Sequence, residues 1–175
     1  MSLEKTVEEN CVYDGKVVRV FCNKSELENG NVVTREVVEH NGGVGILPID
    51  SEGNVYLVRQ YRVGASEELI EIPAGKLEIG EDPVKCGLRE LSEETGFSAS
   101  GLVSLGYIYP TPGYDTEKIH IFIAKNLIEG EQHMDEDEFL DVIKMPYVKA
   151  LMMIESGEIT DAKTIIALLR AEKWM

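Results

Sequence analysis

The first part of the chain alternates between apolar and polar positions and is rich in β-branched residues, a pattern typical of strands. The runs CVYDGKVVRVFCN and SELENGNVVTREVVEH, within residues 8–39, contain Asp-Gly and Asn-Gly turn sequences. They predict a small antiparallel sheet. The next segment, VGILPID-SEGN-VYLVRQYRV, predicts a second hairpin with a turn at residues 51–54.

The rest of the chain mixes helical and strand patterns without a regular βαβ alternation. GASEELIEIPAG reads as a loop, and a helix follows it, capped by Asp82 and ending at Gly96. Further elements are strands at 102–109, 118–125 and FLDVIKM, and helices at 147–156 and 161–173. The mixture predicts an α+β or α/β/α sandwich with a partly antiparallel sheet. The NGG sequence separates an N-terminal sheet, 1–41, from a main domain, 42–175.

The helix after Asp82 carries its densest negative charge near its C-terminal end. Glu90 and Glu94 stack one turn apart, with Glu93 beside them, where like charges repel and oppose the helix dipole. The apolar spacing predicts one buried stripe on a different face: Val84, Leu88, Leu91 and Thr95. Two interpretations follow: a solvated acidic face screened by Arg89 or Lys85, or a site for a divalent cation such as Mg²⁺, which prefers oxygen ligands.

Composition and charge narrow the class of protein. The chain has 17 basic and 32 acidic residues, a net charge of −15, which argues against binding to a nucleic-acid backbone. An anionic substrate would need metal ions to approach such an acidic protein. No apolar run approaches the roughly 18 residues of a membrane span. The N-terminus lacks the layout of a secretory signal, and three scattered cysteines argue against a disulfide framework. We therefore expect a cytoplasmic protein without a membrane partner.

The spacing of the acidic helix residues matches a longer pattern. The run RELSEETGF is preceded by Gly75, five residues, Glu81 and seven residues. Together these positions fulfil the pattern GX5EX7REUXEEXGU, in which U is a bulky apolar residue. This resembles the Nudix hydrolase signature at every specified position. The resemblance implies a Nudix-type α/β/α sandwich with a mixed sheet, preceded by the small N-terminal sheet.

The same resemblance implies a role for each residue of the box. The metal ligands are Glu90 and Glu94, with Glu93 assisting and the Ala74 carbonyl facing the ion. The structural positions are Gly75, which permits a close approach to the helix, the paired Glu81 and Arg89, and Gly96. The expected cofactor is Mg²⁺ or Mn²⁺.

Segments outside the box are similar to the ADP-ribose pyrophosphatase branch of the family. They include YPTPGYDTEK, with Pro112 fifteen residues after Phe97, and TREVVEH, VRQYR, EIPAGKLEIGED, DEDEF and GEITDAKTIIALL. The resemblance implies that Arg62 contacts the diphosphate or terminal ribose and Glu117 a ribose hydroxyl. Arg35 and Glu36 reach the adenosine side from a partner subunit. Leu77 and Pro112 complete the substrate-binding set. The alternative for the charged residues is an ordinary strand surface.

The DEDEF loop supplies the remaining chemistry on this resemblance. Glu136 is the expected general base and Glu138 lies close to the metals as a further ligand, with Glu93 as the reserve base. The alternative is an exposed acidic loop.

These residues predict metal-dependent hydrolysis of ADP-ribose to AMP and ribose 5-phosphate by a homodimer joined through its N-terminal sheet. Alternatives are another nucleoside diphosphate derivative, such as another ADP-sugar, NADH or a diadenosine polyphosphate, or a non-catalytic ADP-ribose sensor. Nucleic acid is not an expected partner.

Overall fold

The computed structural model describes residues 3–133 and 139–175 and divides into two compact units. The first unit runs to Gly42 and also includes Tyr109–Lys118. The second comprises Gly43–Ile108 and Ile119–Met175. The sequence-based division at 41/42 did not attach residues 109–118 to the N-terminal sheet.

The first unit is a four-stranded antiparallel sheet, as the alternating pattern predicts. Its strands are β1 (Lys5–Glu8), β2 (Cys11–Asp14), β3 (Arg19–Glu26) and β4 (Val32–Glu39). β4 pairs with β3 along its whole length, and β1 and β2 share the other edge of β3. Residues 109–118 join the unit through Val38, which donates to the Tyr114 carbonyl at 2.7 Å and accepts from the Thr116 N–H at 3.0 Å.

The second unit contains nine strands and three helices among its described residues. The strands are β5 (Gly43–Pro48), β6 (Asn54–Arg62), β7 (Glu67–Glu71), β8 (Ala74–Lys76), β9 (Phe97–Ser98), β10 (Leu102–Ile108), β11 (Ile119–Ala124), β12 (Ile128–Glu129) and β13 (Leu140–Pro146). The helices are α1 (Pro83–Thr95), α2 (Tyr147–Glu155) and α3 (Ala162–Ala171), which is followed by a 3₁₀ turn at Glu172–Trp174.

The strands of the second unit form two main sheets, and this corrects the predicted second hairpin. One sheet has the order β10-β11-β5-β8 and the other the order β13-β6-β7, while β9 and β12 form a short pair. The turn at residues 51–54 is present, but β5 and β6 lie in different sheets, and the isolated bridge between Ile49 and Val55 lies just beyond the end of β5. β5 instead pairs in parallel with β11. GASEELIEIPAG is not a loop, because it contains β7 and part of β8.

The alternation of side chains in β5 and β11 explains the layers of this unit. Val44 and Ile46 of β5, with Phe122 of β11, pack in one core cluster with Leu91 of α1. The intervening positions, including Leu47, Ile121 and Ile123, join a second cluster with residues of α2 and α3. Successive strand residues point to opposite faces. The central sheet is therefore covered on both faces, which is the predicted α/β/α sandwich.

Helix α1 has the predicted ends but a different buried side. Asp82 accepts hydrogen bonds from the N–H groups of Val84 and Lys85 at 3.0 and 3.1 Å, and Gly96 ends the helix at φ 72°. The predicted stripe is wrong, because Val84 is exposed and Leu88 and Thr95 are only half-buried. The buried positions are Cys86, Gly87, Glu90, Leu91 and Glu94. The helix packs against β5 and β8 on this side, and two of its glutamates are buried there.

None of the helices in the described parts of the chain has the length and apolar character needed to cross a bilayer.

Candidate active site

Two buried carboxylates on α1 form the centre of the site. Glu90 is 8% exposed and Glu94 is 3% exposed, one helical turn apart. The interpretation of a solvated acidic face is therefore wrong for these two residues. Glu93, between them in sequence, remains partly exposed. Burying a charged carboxylate is costly unless it is paired or coordinates a metal, so the two residues need compensating partners.

Strand β8 supplies part of this compensation. The Ala74 N–H donates to Glu94 Oε2 at 3.1 Å. There is no space for a side chain at Gly75, because an ideal Cβ there would lie 1.8 Å from Glu90 Oε1. The strand thereby approaches the two carboxylates closely with its backbone, as the glycine of the box predicts. Ala74, whose carbonyl is an expected metal ligand, lies directly beside Glu94.

Arg89 connects three carboxylates around the helix. Its Nη1 lies 2.8 Å from Glu90 Oε1 and also 2.8 Å from Glu93 Oε2. The pair expected between Arg89 and Glu81 is present, with Nε 3.4 Å from Glu81 Oε1. Burial lowers the pKa of Arg89, but the charge of Glu90 and the hydrogen bonds to Glu81 and Glu93 outweigh it and raise the pKa. The guanidinium thus stays charged and holds the preceding loop against the helix.

Arg62 belongs to an ion-pair cluster that the sequence does not predict. Its Nε and Nη2 donate to the two carboxylate oxygens of Glu71, each at 2.7 Å. Lys163 also donates to Glu71, which is fully buried. The sequence offers a weak indication of Glu71, an acid between Ile70 and Ile72 in a strand. No local pattern connects Glu71 with Lys163, because the two residues are 92 positions apart.

The other residues expected to bind substrate are distributed over both units. Leu77 is half-buried next to the core cluster under α1. Pro112 lies in the first unit, as does Glu117, whose Oε1 is 3.5 Å from His40 Nδ1. Arg35 and Glu36 also lie there, on β4.

A pocket of about 410 Å³ lies within the first unit, lined by Glu4, Thr6, Asn23, Ser25, Arg35, Glu36, Val37 and Gly113. Arg35 is held in it by Glu4, with Nε and Nη2 donating to the carboxylate at 2.8 and 2.6 Å.

The two loop acids proposed for catalysis, Glu136 and Glu138, lie outside the described residues. The residues just before them contact the end of α1. The Gln132 side-chain amide donates to the Glu94 carbonyl at 2.5 Å, and the His133 N–H donates to the Glu93 carbonyl at 3.2 Å. These bonds satisfy carbonyls that a helix end leaves without partners.

Comparison with known proteins identifies the family. The model of the NUDIX domain matches residues 39–168. The chain belongs to the Nudix family. It is 41% identical, over 94% of its length and 90% of the relative's, to the ADP-ribose pyrophosphatase of Bacillus subtilis strain 168. It is likewise 41% identical, with the same coverage, to the methanol dehydrogenase activator of Bacillus methanolicus.

A solved structure confirms the Nudix fold. A crystal structure described as an ADP compounds hydrolase superposes with a TM-score of 0.85 at 26% identity, covering 98% of this chain and 93% of that chain. The predicted α+β class and Nudix sandwich are therefore confirmed.

Nudix hydrolases generally depend on divalent metal ions, and the residues present fit such an ion. Glu90 and Glu94 offer only carboxylate oxygens, the ligand atoms that hard divalent ions prefer. Because Gly75 of β8 has no Cβ, the backbone of the strand lies close to the Glu90 carboxylate. Within residues 3–133 and 139–175, no group of three or more His, Cys, Asp or Glu side chains forms a complete metal site. The site thus matches an ion held by two carboxylates together with water and substrate phosphates.

Proposed function

We propose that this chain hydrolyses the diphosphate of ADP-ribose to AMP and ribose 5-phosphate and requires Mg²⁺ or Mn²⁺. One observation carries the proposal. The complete Nudix box buries Glu90 and Glu94 side by side, in a chain 41% identical to an ADP-ribose pyrophosphatase over 94% of its length. A protein that only sensed the nucleotide would have no need to keep two buried carboxylates against their mutual repulsion.

The residues of the second unit have distinct roles in this reaction. Glu90 and Glu94 would hold the metal, with the Ala74 carbonyl beside them. When bound, a divalent ion neutralises charge on the diphosphate and lowers the pKa of a coordinated water. Arg89 keeps the Glu90 carboxylate in place through its 2.8 Å contact. Arg62 would donate to the diphosphate, because guanidinium matches phosphate oxygens in a bidentate manner.

A carboxylate must accept the proton of the attacking water. We assign this role to Glu136, with Glu138 as an additional metal ligand and Glu93 as the reserve base. Comparison of Glu136→Gln with Glu93→Gln tests the assignment. The variant that lacks the true base should lose at least about a hundredfold in kcat, since general-base catalysis contributes about that much.

The substrate's adenosine half would lie on the first unit of a partner subunit. The pocket of about 410 Å³ lined by Arg35 and Glu36 supports this assignment. Pro112 would complete the substrate-binding set, and Glu117 would accept a hydrogen bond from a ribose hydroxyl. Leu77 would contact the substrate from the second unit.

The assignment requires a homodimer formed through the N-terminal sheet. Exposed apolar side chains of the first unit support it: Val7, Val12, Tyr13, Val17 and Val32. Exposed apolar surface is a feature of sites of protein–protein contact. Light scattering of the purified protein tests the dimer, and a fully active monomer would contradict it. The three free thiols are consistent with action in a reducing cytoplasm.

A substrate panel with and without EDTA tests the proposed reaction. The panel contains ADP-ribose, another ADP-sugar, NADH and a diadenosine polyphosphate, because the two relatives at 41% identity carry different names. We expect the highest kcat/KM for ADP-ribose, AMP and ribose 5-phosphate as products, and no turnover in EDTA. Absence of ADP-ribose turnover at saturating Mg²⁺ and Mn²⁺ would refute the proposal. Tight binding without turnover would instead indicate a sensor.

A further inference from the structure

A chain of ion pairs inside the second unit connects Arg62 to the N-terminus of α3. Arg62 donates to both oxygens of Glu71, at 2.7 Å each, and Lys163 donates to one of them. The Lys163 ammonium also lies 3.1 Å from Asp161 Oδ1. Asp161 Oδ2 accepts from the N–H and the hydroxyl of Thr164, at 2.9 and 2.6 Å. The cluster thus joins the end of β6 to the first turn of α3.

Arg62 is the most exposed side chain of this chain of ion pairs, and Glu71, next to it, is the most buried. The Glu71 side chain is 1% exposed, that of Lys163 is 11% exposed and that of Arg62 is 39% exposed. A carboxylate as buried as Glu71 requires cationic partners, because the loss of its hydration is otherwise uncompensated. Arg62 is therefore the outermost of the three groups and is anchored from within the protein.

The charges explain why two cations share one carboxylate. Arg62 and Glu71 alone would form a neutral pair with little attraction for an anion. With Lys163 on the same carboxylate, the three groups carry one net positive charge. Asp161, on the far side of Lys163, lies at the N-cap of α3, where the helix dipole stabilises its negative charge. Counting Asp161, the four groups are neutral overall, but Arg62 is not the sole counter-ion of Glu71, because Lys163 shares that carboxylate.

Arg62 also has hydrogen-bond donors that Glu71 does not use. Its Nη1 donates to no atom among the residues that the structure describes, and Nη2 retains a second N–H. The hydrogen bond to Glu71 raises the pKa of Arg62, and the charge of Glu94 on α1 adds to this effect. Arg62 is therefore within electrostatic range of the buried Glu94 carboxylate of the Nudix box. Glu71 fixes one edge of its guanidinium, and the Nη1 edge has no hydrogen-bond partner within residues 3–133 and 139–175.

We propose that Glu71 and Lys163 are positioning residues that hold Arg62 for the substrate diphosphate and leave its positive charge available. Neither residue needs to touch the substrate. The inference rests on the proposed function and adds two residues to the site, both outside the Nudix box. A guanidinium fixed in advance loses less conformational entropy when it binds phosphate, so its contribution is expected in substrate binding.

A double-mutant cycle between Lys163 and Arg62 tests this proposal. We expect Lys163→Met to raise KM for ADP-ribose about tenfold and to leave kcat within about twofold, since it weakens binding rather than the chemical step. In an Arg62→Ala background, the same substitution should change KM less than about twofold, because it acts through Arg62. Lys144→Met is the matched control. It removes another lysine–carboxylate contact, 2.9 Å from Asp50 Oδ2, and should change neither constant.

Each outcome of the cycle decides the question. An unchanged KM in Lys163→Met, or an equal effect of Lys163→Met in both backgrounds, would overturn the proposal. Lys163→Arg retains the charge and should restore most of the affinity, whereas a purely steric role would not be rescued. If Lys163→Met does not fold, Lys163→Gln takes its place in the cycle.

A readout without turnover separates this inference from the proposed function. In ¹⁵N NMR spectra of the metal-free protein, the Arg62 Nε–H group, assigned by its loss in Arg62→Lys, should give one sharp signal. That signal should broaden in Lys163→Met, and an unchanged signal would contradict a positioning role. If the wild-type protein does not hydrolyse ADP-ribose, the proposed function fails, while the NMR comparison still decides whether Lys163 positions Arg62.

Discussion

The carboxylate of Glu90 occupies the space that a side chain on Gly75 would need. An ideal Cβ at Gly75 would lie 1.8 Å from Glu90 Oε1 and 1.9 Å from Glu90 Cδ. The glycine of the Nudix box is thus required by a side chain fifteen residues later, on the facing helix. A left-handed backbone is not the reason for this glycine, because Gly75 does not have a positive φ.

We therefore expect Gly75→Ala to damage the site more than the fold. The new methyl group would force the Glu90 carboxylate to rotate away, so metal affinity should fall and kcat/KM should decrease at least about a hundredfold. The melting temperature should change little, because only the end of one side chain must move. Gly101→Ala is the matched control, since a Cβ at Gly101 meets no atom within 4 Å. Metal titration and steady-state kinetics check the result, and a fully active Gly75→Ala variant would contradict it.

Glu90→Gln and Glu94→Gln should each abolish turnover while the fold is retained. The amide keeps the shape of the carboxylate and, at position 94, an oxygen that can accept the Ala74 N–H bond of 3.1 Å. It lacks the negative charge that a hard divalent ion requires. Circular dichroism should match the wild-type spectrum, and no activity should return at high Mg²⁺. Recovery of activity by either variant at saturating Mg²⁺ would remove that residue from the metal site.

Glu71→Gln should lower stability at neutral pH, and the loss should disappear in acid. Burial raises the pKa of Glu71, but the hydrogen bond from Arg62 and the charge of Lys163 outweigh it, so the folded-state pKa lies below the ordinary value of 4.5. Because its pKa is depressed in the folded state, the ionised Glu71 carboxylate stabilises the folded state above pH 4.5. This stabilisation is lost as the pH falls through the folded-state pKa.

Urea unfolding between pH 7 and the acid limit of the fold measures this difference. At pH 7 the substitution should cost about 3 kcal/mol, the usual range for breaking a buried ion pair. Glu68→Gln, at an exposed position of the same strand, should be nearly neutral at every pH. An equal difference between wild type and Glu71→Gln at pH 7 and at the acid limit of the fold would contradict the assignment of the stabilising charge.

Cys86 should remain unreactive in the folded protein. Burial raises the pKa of its thiol to about 12, so almost no thiolate exists at pH 8. Iodoacetamide should therefore modify exposed Cys11 first and leave Cys86 intact, as measured by mass spectrometry of peptides. In urea all three cysteines should react. Rapid modification of Cys86 without urea would show that α1 opens.

The ends of α1 could be predicted because the signals are local. Asp82, Pro83 and Gly96 act on the backbone within a few residues of their own positions, and the structure has all three in the expected roles. The pattern of the box likewise located Glu90 and Glu94. The buried stripe was wrong because it assumed that only apolar residues are buried, whereas the helix turns two glutamates toward β8.

Features that depend on distant residues could not be predicted from the chain alone. The turn after Asp50 is local, and Asp50 accepts the N–H groups of Glu52 and Asn54 at 2.9 Å. The turn does not determine which sheet its flanking strands join. The contact between Glu71 and Lys163 spans 92 positions, and neither residue belongs to a spacing pattern that indicates the other.

The parallel pairing of β5 with β11 should delay the assembly of the site during synthesis. Six residue pairs join Gly43–Pro48 to Ile119–Ala124. Phe122 and Ala124 of β11 belong to the core cluster that includes Leu91 of α1. A nascent chain that has emerged only as far as residue 118 contains the whole Nudix box but not β11, against which α1 packs. Because chain synthesis is much slower than loop closure, we expect the two glutamates to stay hydrated until β11, in the final third of the polypeptide, is made. A fragment ending at residue 118 should accordingly lack the cooperative thermal transition of the full chain.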